Sequence, residues 1–175
     1  MSQIEKITGE LRALMAGVER AQGSAAAADR QAQETASRAA GAGFVAVAAG
    51  VARVRNAITG IQGGLGRLAG SIGEATTAAA AVPNEATPQE TIAGLAPVQS
   101  AVDAARDAVA GAITGVGEAQ QLVAVVLQGG QPGPLLQALE AIKQVLVLVV
   151  QRTGGARQAI EAAIAQARQL GSLGN

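Results

Sequence analysis

The sequence predicts an all-α protein, an elongated antiparallel bundle of about four long heptad-patterned helices arranged as two helical hairpins. Three observations carry this. Larger apolar residues recur in alternating steps of three and four along four separate stretches, the spacing that lays one stripe of a helix against its neighbours. The breaks between stretches carry glycine or proline, which punctuate helices. Within the glycine-rich stretch 43–73, the period-two alternation of a strand occurs only in Phe44-Val45-Ala46-Val47-Ala48.

The first stretch places Ile4, Ile7, Leu11, Leu14, Val18, Ala21, Ala25, Ala28 and Ala32 on one seam. Ser2 and Glu5 form a capping box at its start. The seam begins with large side chains and fades to alanine. The second stretch reads Phe44, Val47, Val51, Val54, Ile58, Ile61, Leu65, Leu68 and Ile72. Between the two, Gly41-Ala42-Gly43 turns the chain, or alanines spaced by four (Ala32, Ala36, Ala40) carry one helix through a stutter. The turn is the favoured reading, because it leaves four helices of nearly matched length.

The third stretch runs from Leu95 through Val98, Val102, Ala105, Val109, Ala112, Val116, Ala119 and Val123 to Val126. The fourth runs from Leu135 through Leu139, Ile142, Leu146, Val149, Thr153, Ala156, Ile160, Ala163 and Ala167 to Leu170. Val82-Pro83-Asn84-Glu85-Ala86-Thr87-Pro88 reads as a loop, since proline cannot continue a helix. Gly129-Gly130-Gln131-Pro132-Gly133-Pro134 reads as a tight turn, with Pro134 suited to a first helical position. The expected division is an N-terminal hairpin over 1–82, a Pro-containing loop over 83–90 and a C-terminal hairpin over 91–175, together one structural unit. Phe44, Val51, Ile58, Ile61, Leu65 and Leu68 of the second helix, with Ile142, Leu146 and Val149 of the fourth, are expected in the core.

Composition narrows the function. The chain has no Cys and no His, which removes thiolate metal sites, Cys nucleophiles and His general bases together. Asp103 and Asp107, one helical turn apart beside Arg106, read as a solvated face rather than an acid–base pair. No catalytic, cofactor-binding or metal-ligating residue is expected, and the protein is not expected to be an enzyme. Gly64-Leu65-Gly66 is followed by Arg67-Leu68-Ala69-Gly70, which breaks the dinucleotide spacing, and no Gly-Lys-Ser/Thr occurs. Fourteen uncharged residues separate Arg38 from Arg53, fewer than the ~20 that a membrane span needs. The N-terminus lacks the charge-then-apolar order of a signal peptide. These features predict a cytoplasmic protein without integral membrane association.

Two surface patterns remain. One is a seven-residue stripe of small residues beside the second seam: Gly43, Gly50, Ala57, Gly64 and Ser71. Such a stripe lets another backbone approach, and Gly50, Ala57, Gly64 and Ser71 are candidates for an assembly contact. The other is charge segregation. Residues 38–67 carry four arginines (Arg38, Arg53, Arg55, Arg67) and no acid, whereas residues 68–142 carry seven acids and one base. Arg53, Arg55 and Arg67 of the second helix and Asp103 and Asp107 of the third belong to complementary patches that could set register with a partner or, as the favoured reading, let the acidic third helix lie between its basic second and fourth neighbours in one subunit. Four arginines without interleaved aromatics are too few for a nucleic-acid face.

Gln128-Gly129-Gly130-Gln131-Pro132-Gly133-Pro134 followed by Leu146-Val147-Leu148-Val149-Val150-Gln151-Arg152-Thr153, with the opening MSQIEKITGELRALMAGVERA, resembles an uncharacterised family of alanine-rich helical proteins from filamentous actinobacteria. That resemblance implies no activity. More loosely, the heptad hairpins resemble the WXG100 group of type VII secretion, but this chain has no Trp, and so lacks the Trp-x-Gly turn, and is about twice the length. The expected function is a self-assembling structural protein, a subunit of a cytoplasmic tube, filament or shell whose partners are copies of itself. The alternative is a WXG100-like secreted or partner-binding bundle with a helical protein partner.

Overall fold

The computed structural model describes residues 2–174. It contains four helices, α1 (Gln3–Gly41), α2 (Val45–Ala80), α3 (Pro88–Val126) and α4 (Gly133–Leu173), and no strand among the described residues. Each helix packs on its two neighbours, α1 on α2 and α4, α3 on α2 and α4. The diagonal pairs do not meet, so the four seams enclose a central core, as in an antiparallel up-down bundle.

The heptad seams form that core. Ile7, Leu11, Leu14 and Val18 of α1, Val51 through Ile72 of α2, Leu95 through Val123 of α3 and Leu135 through Ala167 of α4 are buried at every seam position. Close approaches fix the register. Gly17 lies against Val149, and Gln3 hydrogen-bonds Gln166 across α1 and α4. Gly50 lies against Val126, Gly115 against Ile61 and Gly94 against Val82. Counting from these pairs sets the alanine half of α1 (Ala21, Ala25, Ala28, Ala32) level with Leu146, Ile142, Leu139 and Leu135 of α4. The large half of α1 lies level with Thr153, Ala156 and Ile160. Large side chains therefore face small ones along most of the length, which fills the core without aromatics.

The helix ends follow local chemistry. Ser2 caps α1: its Oγ accepts from the Glu5 N–H at 3.1 Å, while the Glu5 carboxylate accepts from the Ser2 N–H at 2.6 Å. The chain turns between α1 and α2 at Ala42-Gly43-Phe44, where Gly43 has φ +82°, a conformation that favours glycine. Helix α3 begins at Pro88, inside the stretch expected as loop. Thr87-Pro88-Gln89-Glu90 is a second capping box. The Glu90 carboxylate accepts from the Thr87 N–H at 2.8 Å, and the Thr87 hydroxyl accepts from the Glu90 N–H at 3.2 Å. Pro88 stands where a missing N–H costs nothing.

Candidate assembly surface

The small-residue stripe of α2 turns toward α3 of the same subunit. A Cβ on Gly50 would stand 2.5 Å from Val126 Cγ1. Gly64 is buried, and with Ala57 and Arg67 it lines a groove whose other wall is Asp107, Gly111, Gly115 and Glu118 of α3. Ala57 and Ser71 are half-buried beside it, and Gly43 sits in the turn. The close approach that the stripe allows at Gly50 is made within the subunit, against Val126 of α3.

The charges are also used internally. Arg55 donates to Asp29 of α1 at 3.1 and 3.3 Å. That hydrogen bond, and then the charge of Asp29, hold the guanidinium still further above its ordinary value. Asp103 faces Arg157 of α4 at 3.7 Å, and Arg157 also bonds Glu161. Arg67 and Asp107 share the α2–α3 groove. Arg53 is exposed. Acidic α3 does lie between the basic helices α2 and α4.

Two seam positions are exposed, while Ile4, Val47 and Val126 are partly buried at the core's edge. Phe44, expected at the head of the α2 seam, is 63% exposed, and Leu170, at the foot of the α4 seam, is 56% exposed. The cause is a stagger between the hairpins. Gln31, Thr35, Pro134 and Leu135 line one depression with Ala42, Phe44, Leu127 and Gln131, so α4 begins alongside Gln31–Thr35 while α1 runs on to Gly41 with the α3–α4 connection beside its end. That leaves an overhang of about six residues, or roughly 9 Å at 1.5 Å per residue. Likewise Gly50 meets Val126, the last residue of α3, and α2 reaches about five residues beyond it. At the opposite end Gln166 is level with Gln3, where α1 starts. Helix α4 runs on to Leu173, another overhang of about seven residues or roughly 10 Å. The first overhang exposes Phe44 and Val45, the second Leu170 and Leu173.

No titratable cluster accompanies these ends. Among the described residues no group of three acidic, His or Cys side chains could hold a metal. No buried side-chain polar atom among them lacks a hydrogen-bond partner. Their single buried polar side chain, Thr153, donates to the Val150 carbonyl at 2.6 Å. A second apolar surface lies along α4, where Val147, Leu148 and Val150 are partly exposed. By length and composition α3 and α4 are apolar enough to cross a membrane, with windows of mean hydropathy 1.3 and 1.5 that are each 28% buried. In the bundle the seam of each is covered by its neighbours.

The fold and these surfaces define the class: a four-helix bundle whose distinctive features are apolar overhangs rather than a cavity lined by reactive groups. Residues 86–172, which take in nearly all of the α3–α4 hairpin, match a family of unknown function (DUF6244). An uncharacterised helical family is also what the sequence resemblance implied. No curated protein and no solved structure matches the chain.

Proposed function

We propose that this protein is a structural, self-assembling helical subunit that forms filaments in the cytoplasm. The observation that supports this best is the exposure of large apolar side chains on overhangs at both ends, Phe44 and Val45 at one and Leu170 and Leu173 at the other. A rod whose two ends are both apolar can gain by burying each on another molecule at roughly 25 cal/mol per Å². The neutral net charge limits repulsion between copies. Electron microscopy and sedimentation of the purified protein test the reading. Regular polymers that pellet with rising concentration are expected, and a protein that stays monomeric at high concentration would overturn it.

A second reading is a partner-binding bundle, in keeping with the loose WXG100 likeness. It draws on the groove between α1 and α4, where Leu148 lies beside Ala13, Ala16 and Gly17 with Glu10, Arg20 and Arg152 around them. An amphipathic helix in such a groove would place apolar anchors one turn apart.

A further inference from the structure

We propose that the depression at the α1–α2 tip binds a small organic anion, a carboxylate on a short apolar body, with Arg38 on the carboxylate and Phe44 and Leu127 against the body. The proposal goes beyond the self-assembly reading and does not depend on it.

Four chain segments build the depression. The end of α1 supplies Gln31 and Arg38, the first turn supplies Phe44, the α3–α4 connection supplies Leu127 and Gln131, and the start of α4 supplies Leu135. Leu127 and Leu135 are buried, whereas Phe44 is exposed, so the leucines form an apolar floor and the ring a wall. The volume is about 310 Å³, within the roughly 300–1,000 Å³ of small-ligand sites. Such sites combine an apolar lining with a few polar groups that orient the ligand, and here those groups are Gln31, Gln131 and the Arg38 guanidinium.

Charge selects the ligand. Arg38 is the one charged residue that lines the depression. Among the described residues it forms no ion pair. Residues 39–52 and 119–139 carry no charge, so neither the turn nor the α3–α4 connection offers it an acid. Glu34, one turn earlier on α1, lines a separate depression with Arg38 and Arg30. Helix α4 starts beside the site without a side-chain cap and with no acid in its first turn, so the positive end of its dipole adds to the same field. The longer grooves mix signs instead, Glu10 with Arg20 and Arg152 between α1 and α4, and Asp107 and Glu118 with Arg67 between α2 and α3.

The apolar part of the ligand follows from Phe44. It is the protein's one aromatic residue, and it occupies the N-cap of α2 without a side-chain cap, where Ser, Thr, Asp or Asn would serve the helix better. The helix gives no reason for a phenyl ring there, and a ligand with an apolar body does. A guanidinium takes a carboxylate through two parallel hydrogen bonds. A doubly charged phosphate would leave further oxygens against leucine, where unpaired charge is costly. The depression is open on one side, so binding should be weak, with Kd on the order of 1 mM.

The single aromatic also supplies the test. The chain has no His, Trp or Tyr, so in deuterium oxide the aromatic region of the proton NMR spectrum reports Phe44 alone. Hexanoate should move the Phe44 ring signals saturably. 1-Hexanol, the same body without charge, should bind at least tenfold more weakly, and hexylamine should leave the signals in place. Arg38→Gln should weaken hexanoate binding at least tenfold, whereas Glu34→Gln should keep or tighten it. Both variants change exposed residues, and circular dichroism melts confirm that they fold. Ring signals that ignore hexanoate would overturn the site. Equal affinity for hexanoate and hexanol, or an unchanged affinity in Arg38→Gln, would mean an apolar patch without anion recognition and would also overturn it. Inorganic phosphate that moves the signals as hexanoate does would overturn the requirement for an apolar body. Signals that move with protein concentration alone would place a second copy against Phe44 and overturn the ligand reading.

Discussion

Gly50 and Val126 interlock: a Cβ placed on Gly50 would lie 2.5 Å from Val126 Cγ1 and 2.8 Å from Cγ2. Valine in a helix has essentially one rotamer, so it cannot swing away, and helices α2 and α3 would have to part. Gly17 against Val149 and Gly94 against Val82 repeat the arrangement at 2.8 Å.

Glycine substitutions should therefore separate by sign. Gly50→Ala and Gly17→Ala overpack a contact and should destabilise by about 1–3 kcal/mol, partly offset by alanine's better helix propensity. At Gly63, Gly66 and Gly70 a Cβ would enter open space, with nothing within 4 Å, and all three lie on exposed α2 surface. Alanine there should stabilise by about 0.5–1 kcal/mol each. Thermal melts of the five single variants check this, and a common sign for all five would refute the packing account.

Why α2 tolerates so many glycines is only half legible in the sequence. Spacing identifies the stripe at Gly50, Ala57 and Gly64 but does not say whose backbone approaches it, because a heptad pattern specifies a stripe and not its partner. The seams themselves are legible, since period and side-chain size are written directly in the chain. Phe44 and Leu170 fall outside the core that spacing predicts for them. Stagger between hairpins depends on the three-residue turn at 42–44 and the longer loop at 81–87, not on any one helix. The start of α3 differs from expectation because Pro88 reads as a breaker. Thr87 and Glu90, three apart, are the available signal for a cap.

The complementary core predicts a size-swap rescue. Ala21 of α1 is level with Leu146 of α4, and both are fully buried. Leu146→Ala should cost about 2–5 kcal/mol, and Ala21→Leu about 1–3 kcal/mol by overpacking. The double variant restores volume within one layer and should be less destabilised than the sum of the singles, a coupling of about 0.5–3 kcal/mol. Additive single effects in denaturant titrations would place the two residues in different layers.

The two capping boxes predict acid sensitivity. The hydrogen bond from the Ser2 N–H is the chief cause that holds the Glu5 carboxyl below its ordinary 4.5, and the Thr87 N–H does the same for Glu90. A carboxyl with a depressed folded pKa contributes stability above its unfolded pKa and loses it as pH falls through the folded one. Stability should therefore decline below about pH 4.5. A double variant, Glu5→Gln with Glu90→Gln, should show a shallower decline when melting temperature is followed from about pH 5 towards pH 3. Parallel pH profiles for the two proteins would show that the caps do not carry the effect.

Removing Phe44 should help the isolated subunit. The α2 N-cap makes no side-chain hydrogen bond, and aspartate there can accept from the free N–H groups of the first turn and favour the positive end of the helix dipole. Phe44 is mostly exposed, so little core burial is lost. Phe44→Asp should raise monomer stability by about 0.5–1 kcal/mol, or roughly 1–4 °C for a chain of this size. A lower melting temperature, measured at concentrations where the wild type is monomeric, would mean that Phe44 packs within its own subunit.

Shortening α4 separates stability from association at the other end. Beyond Gln166 the helix has no α1 alongside it. Leu170 and Leu173 are exposed, and the last core residue is Ala167. A chain ending at Arg168 keeps every large core side chain of α4 and removes only the overhang. Its melting temperature as a monomer should stay within about 2–4 °C of the full-length chain, the shift that corresponds to roughly 1 kcal/mol. Leu170, which shares a depression with Ile4, Ala86, Pro88 and Thr91, and Gly171, which lies beside Pro88, are the intramolecular neighbours lost. If the overhang serves only to fasten α4 to its own bundle, shortening should lower the melting temperature by more than this. If the overhang is instead the surface that meets the next copy, the shortened chain should melt like the parent yet show no concentration-dependent increase in sedimentation coefficient.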